Sequence, residues 1–405
     1  MIKASKYIPL VILSFVLLFG VSSCETDEEQ VDLCNSDGAP GELISANYFA
    51  SFTPEQVTTY LRLYGAPLGL VPDYSVDVYQ VAYKTLDKDN ELTDASGVLF
   101  IPQGIDTLDL LSIQHGTVFK RDEVGSVNPL FYAFDGMIAA MSGYVVIEPD
   151  YLGLGSSPGL HPYLHAELSA NAVIDGIRAA RIYSCQNEVL LSGDLYLAGY
   201  SEGGFVTLAT HKIIESEYPV EFQLMAVAPM AGPHDLLQTT RSIIDRKEYA
   251  IPAYLAYLVQ AYDSIYEWGR LDEIFMEPYA TRIPEVVNGS FGGSEINDTL
   301  TSIIDSLFVS EFKTSFLSGE ETQITNALVE NSPLDWGPVA PVRLFHGTND
   351  STVYYENSVT AYESMRANGG LSVELVPLSG ADHGSAAFPA YYLALQWFDS
   401  LRTAN

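Results

Sequence analysis

Leu195–Leu208 reads LYLAGYSEGGFVTL. The stretch opens as a buried strand and then crowds Gly199, Gly203 and Gly204 around Ser201, where a helix begins. A strand that runs straight into a helix needs a very tight turn, and its apex residue takes a strained backbone conformation. Side chains on the neighbours would collide with the adjoining elements, so glycine is needed on both sides. GYSEG, Gly199 to Gly203, therefore fits the G-x-S-x-G spacing in its required setting. The turn holds Ser201 Oγ exposed above the sheet, beside a helix N-terminus.

A serine hydroxyl is a poor nucleophile until a base takes its proton. Downstream lie His211, His234, His346 and His383. His211 falls inside the helix after the turn and reads as a packing residue. His234 begins the next segment, and His346, in LFHGTND, reads as a structural turn partner. His383, in SGADHGS, sits on a glycine-flanked loop after the last strand, where a base can reach the serine. The acid that orients it is expected at Asp350, just past a strand end, the edge where sites on such sheets gather. Asp382 is the rival, but an adjacent residue cannot easily face the imidazole Nδ1. A negative oxygen formed by serine attack needs N–H donors. The backbone N–H of Glu202 supplies one, and SIQHGTVF offers the other at Thr117, with Gly116 as the alternative. His115 and Tyr151 are candidates for the substrate pocket. For His115 the competing reading is a hydrogen-bonded brace of its loop; for Tyr151 it is part of a glycine-rich turn.

Extended and helical signals alternate from about residue 79, the pattern of an α/β fold with a mostly parallel sheet. VYQVAYKTL and ASGVLFIP form an opening antiparallel pair, and LDLLSIQHG and GYVVIEPDY are buried parallel strands. In the following segment Ala170, Val173, Ile174, Ile177 and Ala180 share one helical face. Residues 235–335 break the rhythm and read as helices, with NGSFGGSEIND as a glycine-rich loop within them. The expected plan is a signal segment over 1–23, a tether and arm over 24–77, a core of 78–234 and 336–405, and a helical cap over 235–335.

The chain has 405 residues, with 19 Lys+Arg against 52 Asp+Glu and a net charge of −33. A surface so negative repels phosphate backbones and argues against nucleic acid as a partner. The apolar IPLVILSFVLLFG follows Lys3 and Lys6, which is the layout of a secretory signal. It ends in VSSC, which resembles the lipobox of bacterial lipoproteins and implies cleavage before Cys24 with lipid attached to it. That implies export and lipid anchoring to the bacterial outer membrane; the acidic ETDEEQ after it resembles tags that direct such proteins to the cell surface. Cys34 and Cys185 remain, either as a disulfide formed in an oxidising compartment or as two buried thiols. No spacing resembles a metal site.

Together these features resemble the α/β-hydrolase superfamily from about residue 79 to 401. GYVVIEPDYLGLG, GYSEGG and the helical insertion look most like secretory-lipase-type enzymes. The resemblance implies an α/β-hydrolase fold with a helical cap. It also implies hydrolysis of a small-molecule ester or lipid by Ser201, Asp350 and His383 through an acyl-enzyme, without cofactor or metal. The double glycine after the elbow is shared with prolyl-oligopeptidase-like serine peptidases, so a peptidase lacking a propeller is the alternative. The HGT loop occurs in both groups and does not separate them.

Overall fold

The computed structural model describes Cys34, residues 37–63 and residues 73–402. The signal segment, Cys24 and the acidic stretch after it lie outside the described residues. Among the described residues nine strands form one sheet: β1 Leu43–Phe52, β2 Val76–Leu86, β3 Leu92–Pro102, β4 Leu108–Gln114, β5 Tyr144–Pro149, β6 Leu191–Tyr200, β7 Gln223–Met230, β8 Val342–Gly347 and β9 Val373–Leu378. Their spatial order is β1-β2-β3-β5-β4-β6-β7-β8-β9. The pairs from β1 through β3 to β5 are antiparallel, and every pair from β5 to β9 is parallel. The chain is thus an α/β-hydrolase fold with a mixed sheet.

Residues 43–52, read from sequence as part of an arm, are the outer edge strand β1, paired along β2. Tyr48 and Ile44 stay exposed there, which is why no buried-strand pattern announces it. Cys34 and Cys185 are joined in a disulfide with Cα atoms 5.3 Å apart, which fastens this end of the chain to the helix Ala166–Gln186.

Both faces of the sheet are covered, so its central strands are mostly apolar, with Ser112, Gln114 and Glu148 as buried polar exceptions. On one face the helices Ala166–Gln186 and Glu202–Glu217 pack, and Val173, Ile174 and Ile177 are fully buried. Burying these three contributes on the order of 6 kcal/mol as an upper estimate. The other face is closed by the helices Phe134–Met141 and His383–Arg402. Between β7 and β8 the chain leaves the sheet for a set of helices whose core, around Leu255, Phe312 and Phe316, is continuous with the first face. The NGSFGGSEIND segment is more ordered than its composition suggests. It contains the helix Gly293–Thr299, started by the Glu295 carboxylate accepting from the Gly292 N–H at 2.8 Å.

Chain order reverses at β4, which is followed by β5 on one side and flanked by β6 on the other. The carboxyl ends of β4 and β6 therefore diverge into separate loops and leave a crevice at the rim, the place where open α/β sheets take their ligands. Gln114 and Gly199, in register across this pair, lead into the two loops that build the site.

Candidate active site

Ser201 stands between β6 and the helix Glu202–Glu217 with φ 61° and ψ −122°. A non-glycine residue at positive φ is strained, and the tight packing around it holds it there. A Cβ on Gly203 would fall on the carbonyl oxygen of Gln114, and one on Gly204 would fall on that of Met230. Backbone lies against backbone on both sides of the turn, which is the physical reason for the glycine crowding.

Three side chains far apart in sequence meet at this turn. His383 Nε2 lies 2.9 Å from Ser201 Oγ, and its Nδ1 lies 2.6 Å from Asp350 Oδ2. Asp350 follows β8 and accepts from the backbone N–H groups of Thr352 and Val353 at 2.9 Å each through Oδ1. Burial pushes its carboxyl up, but the contacts with His346 and His383 outweigh that and leave it lowered to about 2. His383 opens the terminal helix, and the Tyr200 hydroxyl donates to its carbonyl oxygen at 2.6 Å. Asp382 accepts from the Ser385 N–H at 2.8 Å and so serves the helix start, not the imidazole.

The other three histidines downstream of Ser201 lie in the packing. His346 is held by Ser358 Oγ at 2.7 Å and Val353 O at 2.9 Å, while His211 pairs with Glu215 at 2.8 Å. His234 is completely buried, and burial lowers it to about 3.

Gly116 packs against Ser201, since a Cβ there would sit 3.7 Å from Ser201 Cβ. Thr117, Ser201 and Glu202 all line a cavity of about 50 Å³ roofed by Leu236, Tyr249, Tyr254 and Leu258. As the first residue of its helix, Glu202 has an N–H with no carbonyl one turn earlier to accept it.

His115 and Tyr151, named from sequence as pocket candidates with loop-brace and turn readings beside them, are not among the residues lining this cavity. Tyr151 is fully buried, and its hydroxyl donates to His115 O at 3.0 Å; the two rings stack 4.2 Å apart. They brace the loop from beneath. A residue missed in the sequence stands close by: His161, 1% exposed, lies 2.7 Å from the Glu202 carboxylate. It precedes the serine in the chain, where the Ser–acid–His order of such a turn places no base.

A second cavity of about 20 Å³, lined by Leu255, Leu258, Trp268, Phe312 and Phe316 among others, lies within the helical insertion. Thr240, Leu255 and Leu258 border both. Among the described residues no group of three His, Cys, Asp or Glu side chains is placed to hold a metal ion.

Residues 136–404 match the secretory lipase family. The chain is similar to a protein from Legionella pneumophila described as a hydrolase, at 31% identity and TM-score 0.83, covering 89% of this chain and 98% of that one. It is similar also to the rice cell wall degrading esterase LipA of Xanthomonas oryzae, at 31% identity and TM-score 0.76, covering 88% and 95%. Candida antarctica lipase A in its closed state shares the fold at 16% identity and TM-score 0.67, covering 92% and 86%. No curated protein sequence matches the chain at a significant level.

Proposed function

Since the chain belongs to the secretory lipase family and is a carboxylic ester hydrolase, we propose that Ser201 is its nucleophile, His383 its general base and acid, and Asp350 the carboxylate that orients the imidazole. The reading rests on the unbroken hydrogen-bond line from Ser201 Oγ through His383 to Asp350, with steps of 2.9 and 2.6 Å. Ser201 Oγ attacks the acyl carbonyl as its proton passes to His383 Nε2. His383 then gives that proton to the departing alcohol, leaving an acyl-serine that water hydrolyses by the same route. The negative oxygen of each tetrahedral intermediate is received by the N–H groups of Glu202 and Thr117. One such donor is worth about 2.7–4 kcal/mol to the transition state.

The acyl group occupies the cavity beneath the cap. A water needs roughly 10–15 Å³ of such space, so the volume of about 50 Å³ next to Ser201 suits only a few heavy atoms. Short acyl esters are therefore the preferred substrates unless the cap shifts. Cleavage ahead of Cys24 and lipid attachment there place the exported enzyme at the outer membrane, on the periplasmic or the outer side.

Turnover of p-nitrophenyl esters by the mature protein beside Ser201→Ala tests the reading. Loss of turnover in the variant is expected, and equal rates would overturn it. Faster cleavage of peptide amides than of any ester would favour the peptidase alternative.

A further inference from the structure

The Glu202 side chain is unusual for a residue at the start of a helix. Instead of reaching into water it is 2% exposed, and Oε1 meets His161 Nε2 at 2.7 Å. His161 Nδ1 lies 2.9 Å from the carbonyl oxygen of Leu152. A carbonyl only accepts, so Nδ1 carries a hydrogen. Nε2 and Oε1 then need one more proton between them, because an imidazole lone pair facing a carboxylate so closely is repulsive. The pair is imidazolium with carboxylate or imidazole with carboxylic acid, and both forms are neutral overall.

The surroundings supply no replacement for His161. The titratable groups facing the Glu202 carboxyl are the hydroxyls of Tyr151, Tyr163, Tyr254 and Tyr257, which add no positive charge. The Arg121 guanidinium is directed to the carbonyls of Ser157 and Gly159, and the His383 imidazole lies beyond Ser201 Oγ. Glu202 Oε2 has no hydrogen-bond partner among the described residues. A buried carboxylate stripped of its one partner is strongly unfavourable. Here it would also set a negative charge on the very residue whose N–H receives the reacting oxygen, in a site where little water screens it.

We infer that His161 is a positioning residue for ester hydrolysis: it neutralises and pins the Glu202 carboxyl, so that the Glu202 N–H stays aimed and no opposing charge stands beside the oxyanion. The inference rests on the proposed roles of Ser201 and Glu202.

The test is kcat and KM for a soluble p-nitrophenyl ester. His161→Gln keeps a polar side chain but cannot carry charge. It should lower kcat by about tenfold or more with a smaller change in KM. The double variant His161→Gln/Glu202→Gln has no carboxyl to neutralise, so it should regain most of the lost kcat. Wild-type kcat in His161→Gln, or a double variant as impaired as the single one, would overturn the inference. Should His161→Gln fail to fold, as judged by near-UV circular dichroism, the double variant is compared with Glu202→Gln alone. Equal kcat in these two is expected, because His161 then has nothing to neutralise, and a further drop on adding His161→Gln would overturn the inference. Absence of any Ser201-dependent turnover in the wild type would instead refute the proposed nucleophile.

Discussion

The Tyr257 hydroxyl, on the cap helix Pro252–Ile265, donates to the carbonyl oxygen of Val118 at 3.2 Å, so the cap grips the loop that faces Ser201. Tyr163 grips the same loop through Thr117 Oγ1 at 3.1 Å, and its ring stacks on that of Tyr257 at 4.6 Å. The proposed Thr117 donor is thus held jointly by core and cap.

Removing the cap's share should loosen the donor. Tyr257→Phe keeps the ring and deletes one hydrogen bond of about 1 kcal/mol, so kcat should fall about fivefold. Saturating-substrate rates check this; an unchanged kcat would mean the loop holds its shape without the cap.

In the proposed triad Asp350 reaches Ser201 only through His383. Asp350→Asn preserves size but reverses the hydrogen bond to Nδ1 and selects the wrong imidazole tautomer, so kcat should drop by about four orders of magnitude. Folding should survive, because Asn still offers an oxygen to the N–H groups of Thr352 and Val353. A drop below tenfold, with the melting temperature retained, would remove Asp350 from its proposed role.

His165 makes stability depend on pH. Burial lowers it to about 4, while the unfolded chain protonates near 6.5. Its contribution is therefore complete above about pH 6.5 and is lost as pH falls towards 4, by about 3 kcal/mol. His165→Asn retains an acceptor for the Leu168 N–H, which His165 now receives at 3.4 Å, but does not titrate. The stability difference between wild type and variant should shift by that amount between pH 7 and pH 4 in denaturant titrations; parallel curves would contradict it.

Leu258 borders both cavities under the cap. Leu258→Ala should join them and move the preferred p-nitrophenyl ester to a longer acyl chain, at a stability loss of about 2–4 kcal/mol. A rate series over acyl length reads this out directly, and an unshifted optimum would place the acyl group elsewhere.

The turn at Ser201 was legible in the sequence because its constraint is local: strand, glycines and helix all lie within fourteen residues. The meeting of Asp350 and His383 was legible because each follows a parallel strand, β8 and β9, and parallel strands deliver their trailing loops to one rim. Strand β1 was not, since an edge strand with Tyr48 exposed needs no alternating apolar pattern. The Glu202–His161 pair spans 41 residues and depends on how the loop after β5 folds back, which no spacing encodes. His115 and Tyr151 sit near the site in sequence, yet their rings turn inward to stack on each other, and proximity along the chain says nothing of that.

His383 opens the final helix, 182 residues after Ser201. During synthesis the elbow emerges long before its proposed base, so a nascent chain carries an inert serine until the helix that begins at His383 is made and docked. The fold is thus a timer, and the serine stays disarmed until that helix reaches it.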